Sequence, residues 1–381
     1  MRLTLISSCK FLLFILLSNL VISCSGDSSS DEIDDVNEPI NIIKTQVLRS
    51  EFEASGDLIY DIVDTSEGSK TYTIKSGNSN NYYSLNNSTG EIKIQNPIPD
   101  LLNVVHEDIL IIAIDNNAYE ITILDAFDYY LTTVASNTVV LQNHNDKTIG
   151  TNTEWTALNN LWGKGDAAPN TDFRIATIHN PSLPNGAVLI WDVPSKASDY
   201  NGAAVWCYNN IFWGNRKNVR EDLNNFPFQI QAIKALSLNF KFEQLFGNDQ
   251  FKIAMNMFMT DESELTNFSK NDGDFFFVFD QKETFIPNYS HSLPDITIDN
   301  KKFAVRYDIN TTTNYERRRV IIKDNKQYLS GSLDINALFN MFIEEDFLNP
   351  LQYIYHIQFG VEVTTGWGAV KFNELEINFT K

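Results

Sequence analysis

Cysteine and histidine are nearly missing from this chain. Its 381 residues include three cysteines and five histidines. Cys9 and Cys24 fall in the first two dozen residues, so Cys207 stands alone in the rest, and no disulfide can form there. His106, His144, His179, His291 and His356 make no pair at zinc-ligand spacing. There is no Gly-x-Ser-x-Gly elbow, no phosphate-binding glycine loop and no Cys-x-x-Cys. These absences argue against metal hydrolases, serine hydrolases and nucleotide enzymes, and no cofactor is implied. Basic residues are scarce too, 29 Lys and Arg against 49 Asp and Glu, for a formal net charge of −20. Phosphate contacts need Lys and Arg, so nucleic acid is not an expected partner. Adhesion to an anionic bilayer by charge is excluded on the same ground.

What is present is apolar and aromatic. Hydrophobic residues make up 43% of the chain, enough for a packed core, and aromatics 12%. An acidic, aromatic-rich, foldable chain suits neutral ligands that stack on flat rings, and sugars fit that description.

Residues 1–23 carry Arg2 and Lys10, then an apolar run over Phe11–Ile22, too short to span a bilayer. Val21-Ile22-Ser23-Cys24 follows and resembles a bacterial lipobox, which implies a cleaved signal and lipidation at Cys24. The mature chain would then carry −22. Residues 24–38 are polar and acidic and read as a tether. An acidic stretch behind the lipidated Cys resembles the export signal of surface lipoproteins in the Bacteroidetes. It implies an outer-membrane lipid anchor with the protein facing the cell exterior.

Residues 39–126 show short alternating strands separated by turn clusters, the pattern of a β-sandwich. Tyr72–Gly77, Tyr83–Asn86, Ser88-Thr89-Gly90-Glu91-Ile92 and Leu110–Asp115 together resemble a cadherin-like (Ig-like) repeat. Calcium at such repeats needs several carboxylates. Asp115 is the weak candidate, and the usual following Asp is Asn116. The repeat reads as a spacer.

Residues 127–381 read as a second all-β domain, a concanavalin-like jelly-roll sandwich. Phe251–Met259, Phe275–Phe279 and Tyr353–Val363 are among its strands, and Asp334–Glu345 is its one helical stretch. Trp213, beside Gly214 and Asn215, reads as an exposed loop residue able to stack on a sugar. Arg317-Arg318-Arg319 reads as a solvated loop, or else as a contact for a sulfated or uronic glycan.

Carboxylates are the remaining groups for chemistry, and glycoside hydrolysis needs only two. Asn159-Asn160-Leu161-Trp162-Gly163 stands near the start of this domain, and Gln358-Phe359-Gly360-Val361-Glu362 with Gly366 and Gly368 near its end. In this order they resemble the motifs of glycoside hydrolase family 12, the jelly-roll endoglucanases and xyloglucanases. The resemblance covers 128–381. It implies cleavage of internal β-1,4-glucosidic bonds in cellulose- or xyloglucan-type glycans, with Glu362 as general acid/base and Asn160 and Trp162 on the sugar. The family's nucleophile is a Glu opening a strand that reads Glu-Ile-Met-Ile-Trp. Asp274 stands there, one methylene shorter, ahead of Phe275–Phe279. An orienting Asp of the family has become Asn256, counted here as substrate-binding. Asp272 and Asp280 come into play if the alignment shifts.

Three outcomes stay open for Asp274: retaining chemistry, inversion through a wider gap, or a binding cleft without catalysis. The alternative functions are a glycan-binding lipoprotein that feeds an uptake complex, and a cadherin-like adhesion protein.

Overall fold

A computed structural model describes residues 41–381, except 51–54, 64–68, 97, 99–106, 115–116, 134–137, 152, 182, 195–204, 249–250, 265–272, 282–288, 311–313 and 325. Cys24, Asp115 and Asp272, and with them the lipobox, the tether and the calcium candidate, lie outside the described residues.

Side chains on a strand alternate between faces, and that period builds both units. The first contains β1 (Asn41–Arg49), β2 (Leu58–Asp61), β3 (Tyr72–Ser76), β4 (Tyr83–Leu85), β5 (Glu91–Ile94), β6 (Glu107–Ile114) and β7 (Asn117–Asp125). One sheet runs in the order β1-β7-β6-β3 and the other β2-β5-β4. Ile92, Ile94, Leu110, Ile112, Ile121 and Ile123 fill the space between them.

β7 runs directly into a helix that the sequence pattern does not announce, α1 (Ala126–Thr133). Asp125 starts it by accepting a bond from the backbone N–H of Asp128 at 2.9 Å. Phe127 then packs on Ala176, Ile178, Ile190 and Ala369 of the second unit.

That unit holds β8 (Val139–Leu141), β9 (Lys147–Ile149), β10 (Trp155–Leu158), β11 (Arg174–His179), β12 (Ala187–Val193), β13 (Cys207–Gly214), β14 (Phe228–Gln229) and β15 (Ala235–Asn248). There follow β16 (Phe251–Thr260), β17 (Gly273–Gln281), β18 (His291–Ile298), β19 (Lys301–Asn310), β20 (Tyr315–Ile322), β21 (Ser330–Asp334), α2 (Ile335–Glu344), β22 (Tyr353–Val363) and β23 (Gly366–Thr380). The larger sheet runs β18-β19-β20-β17-β16-β22-β13-β10-β9, with β14 also on β22. The smaller runs β21-β15-β23-β12-β11-β8.

Met255, Met257, Phe275, Phe277, Phe359 and Val361 of the larger sheet enter one core with Leu189, Trp191, Phe240, Phe242, Val370 and Phe372 of the smaller. α2 forms where the pattern places a helix. Asp334 caps it by accepting from Ala337 N at 2.9 Å, and Leu338, Phe339 and Phe342 face inward.

Arg174 ties the units together. It bonds Asp125 at 2.8 Å and Asp128 at 3.2 Å from the first unit and helix, and Asp192 of β12 at 2.8 Å. Its guanidinium lies 4.9 Å from the centre of the Phe127 ring.

Candidate functional site

The outer face of the larger sheet carries a groove of about 570 Å³. Alternation decides its lining. Ile253, Met255 and Met257 of β16 point into the core, so Lys252, Asn256 and Phe258 point into the groove. Phe275 and Phe277 of β17 are core, while Asp274 and Phe276 face the groove. On β22, Phe359 and Val361 are core, and Gln358 and Glu362 line the groove.

The structure brings Asn160, Trp162, Asn256, Asp274 and Glu362 into this one groove. Asn160 and Trp162 arrive from the loop after β10. Leu161 between them is buried, and Trp162 emerges at 49% exposure, a flat ring at the lip. Gly163 passes so near the Val205 carbonyl oxygen that a Cβ there would lie 2.0 Å from it. Asn256 Oδ1 is a buried acceptor with no partner among the described residues.

Trp213 is not in the groove. It lies in β13, not in a loop, on the same face as Cys207 and Ile211, and is 6% exposed. Its Nε1 donates to Glu154 at 2.6 Å, and its ring packs on Phe226 and Phe379. Asn159 and Asn209 likewise bond each other inside the protein.

Asp274 and Glu362 stand two strands apart on the same face. On β16 between them, Asp274 pairs with Phe258 and Glu362 with Lys252. Their levels therefore differ by six residues, roughly 20 Å of strand at ~3.3 Å each.

Each carboxylate has a cation. Arg319 grips Asp274 with both terminal nitrogens, at 2.6 Å and 3.0 Å. The guanidinium also lies over Phe276, 5.3 Å from the ring centre. Burial works against its charge, but Asp274 outweighs that and raises its pKa. Lys252 Nζ stands 3.4 Å from Glu362 Oε2. Beside Glu362, the Tyr208 hydroxyl donates to the Ala254 carbonyl at 2.9 Å. Burial, aided by the Glu362 charge, pushes that phenol well above its usual range. Under the floor, His356 Nδ1–H donates to the Asn215 carbonyl at 2.9 Å, and its Nε2 accepts from Gln358 at 2.6 Å. Burial, reinforced by Arg216, pushes His356 down to about 3. The ring is neutral and serves to hold Gln358.

The sequence reading gave no site role to Lys252, Arg216 or Gln358, and held Arg319 only as one arginine of the run read as a solvated loop or an acidic-glycan contact. Arg317-Arg318-Arg319 is no loop. It lies in β20, where Arg318 is fully buried and Arg319 turns into the groove. The signal was available for two of them: stepping by two from Asn256 and Glu362 reaches Lys252, Phe258 and Gln358. Nothing in the sequence marks Arg216.

No family model matches the sequence, and no curated protein does either. Solved structures do match. A family 12 xyloglucanase from Bacillus licheniformis superimposes with a TM-score of 0.53 at 17% identity, over 64% of this chain and 100% of its own. Endoglucanase 3 of family 12 from Trichoderma harzianum gives 0.52 at 16% identity, over 65% and 100%. An endoglucanase from Rhodothermus marinus gives 0.51 at 15%, over 64% and 99%. The second unit has the family 12 jelly-roll fold.

Proposed function

We propose that the groove holds a polysaccharide chain and that the protein is a glycan-binding lipoprotein. In this reading Cys24 carries the lipid anchor in the outer membrane, and the first unit is a cadherin-like spacer that holds the jelly roll away from it. One observation carries the choice of binding over cleavage: the Arg319 fork on Asp274. A retaining nucleophile needs a carboxylate oxygen free to attack, and here a guanidinium engages both. The stagger points the same way. Retaining pairs stand ~5–5.5 Å apart and inverting pairs ~6.5–9.5 Å, well below the length of strand between these two levels. The rest of the groove suits a sugar. Trp162 offers a face for C–H groups, and Asn256 Oδ1, without a partner among the described residues, accepts from a hydroxyl.

The second reading is a β-glycan hydrolase with Glu362 as general acid and Asp274 as nucleophile or base. It is favoured by the convergence of five motif-matched positions in one groove on this fold.

Incubating the full-length chain with xyloglucan, mixed-linkage glucan and carboxymethyl cellulose separates the two. Retention of a polymer without new reducing ends is expected. Turnover abolished by Glu362→Gln would install the hydrolase instead, and retention of no glycan would discard both.

A further inference from the structure

We infer that His144 is a positioning residue for the groove: its neutral ring pins the loop that presents Asn160 and Trp162, and protonation unpins that loop. The groove then grips a glycan less tightly in acid. The inference rests on the reading of the groove as a glycan site.

His144 lies in the turn between β8 and β9. Its Nδ1 stands 3.2 Å from the backbone nitrogen of Leu161, the residue between Asn160 and Trp162. A backbone N–H can only donate, so Nδ1 is the acceptor and the ring carries its proton on Nε2. The Leu161 side chain is fully buried in the core, which fixes the direction of that N–H. A protonated imidazole has two donors and no acceptor. Protonation therefore breaks the bond and sets one N–H against another.

The backbone bonds that anchor the rest of the loop have no proton to gain. The Asn160 carbonyl accepts from Tyr208 N at 3.0 Å. Asn159 donates to the Asp146 carbonyl and accepts from Asn145 N, both at 2.9 Å. The turn also holds its shape without the ring. Its Asp146 carboxylate accepts from the backbone N–H groups of Gln142 and Asn143, at 3.2 Å and 2.7 Å. Loss of the His144 bond thus loosens one point, between the two groove residues, and leaves the fold in place. A loop that spends less time in its binding geometry lowers the apparent affinity by the same fraction.

Neighbouring charges set the pH range. Partial burial holds the His144 pKa below its ordinary value of about 6.5, and Lys164 and Arg216 add to this by opposing a positive ring. Asp146 and Lys147 are the charged residues on its own side, at the end of the turn and the start of β9. His356, under the groove floor, stays neutral down to about pH 3. Measurements between pH 7 and 5 also stay above the ordinary carboxylate range of about 4.

Titration calorimetry of the full-length chain with xyloglucan, mixed-linkage glucan and carboxymethyl cellulose at pH 7, 6 and 5 tests this. Affinity for a bound glycan is expected to fall several-fold from pH 7 to pH 5. His144→Ala removes the acceptor, so its affinity is expected to be several-fold lower at pH 7 and nearly flat with pH. His144→Asn puts an amide oxygen where Nδ1 stands, without a proton to gain. It is expected to restore the affinity at pH 7 and to keep it at pH 5. The same fall with pH in the natural chain and both variants, or no fall in the natural chain, overturns the role of His144 and leaves the glycan site standing. Binding to none of the three polymers at pH 7 overturns the glycan site and the inference with it.

Discussion

The guanidinium of Arg319 and the carboxylate of Asp274 are both largely buried, with side chains 14% and 9% exposed. Removing one partner strands the other charge. Arg319→Leu is expected to destabilise the fold by about 3–5 kcal/mol, read as a lower Tm. The double variant Arg319→Met/Asp274→Leu is expected to recover most of that, because two apolar groups of similar volume strand nothing. Trp162 behaves differently. Half exposed at the lip, it supports little of the core, so Trp162→Ala is expected to weaken glycan affinity about tenfold with Tm unchanged.

His356 sets a pH dependence. Its folded pKa of about 3 lies below the ~6.5 of an unfolded histidine. Between those values the unfolded chain binds more protons, so stability rises with pH. This stability is fully present above about pH 6.5 and is lost as pH falls towards 3. Denaturant melts from pH 4 to 7 are expected to show a positive slope that flattens in His356→Gln.

Among the elements, β20 and α1 show why local patterns mislead. Three consecutive arginines look like a solvated run. In a strand they separate: Arg317 pairs with Asp308, Arg318 enters the core, and Arg319 enters the groove. The same alternation turns Trp213 inward in β13, although its Gly and Asn neighbours resemble a loop. α1 escaped notice because Ala126–Thr133 is short and rich in Tyr and Thr, with a weak apolar stripe. Its stability comes from the Asp125 cap and from docking of Phe127. Arg174 locks that docking to three carboxylates, two of them almost fully buried. Arg174→Met is expected to cost several kcal/mol and to raise amide exchange in α1. Asp334→Ala, which removes only the α2 cap, is expected to cost about 1 kcal/mol in the same melts.

For the whole molecule, α1 makes the junction part of the structure. A chain beginning at residue 138 keeps the jelly-roll core but loses Phe127, which covers Ile178 and Ile190, and two of the three carboxylates on Arg174, Asp125 and Asp128. It is expected to fold with a Tm several degrees below that of the full-length chain, measured by calorimetry. Much of the architecture was legible in the residues. Strand patterning marked an all-β chain, the Asp334–Glu345 stripe marked α2, and the two end motifs marked the groove through Asn160, Trp162 and Glu362. Those signals are local, because period-two alternation and short motifs need no knowledge of distant contacts. The sequence alone therefore determined the β class, the scarcity of histidine and cysteine chemistry, and an overall charge of −20. Only the tertiary structure decided which cations meet the carboxylates. Arg319 reaches Asp274 across a parallel pairing of β17 with β20, and Lys252 reaches Glu362 across β16 and β22. Such pairings join residues 45 and 110 positions apart. They turn an acidic chain's candidate catalytic pair into two ion pairs in one groove.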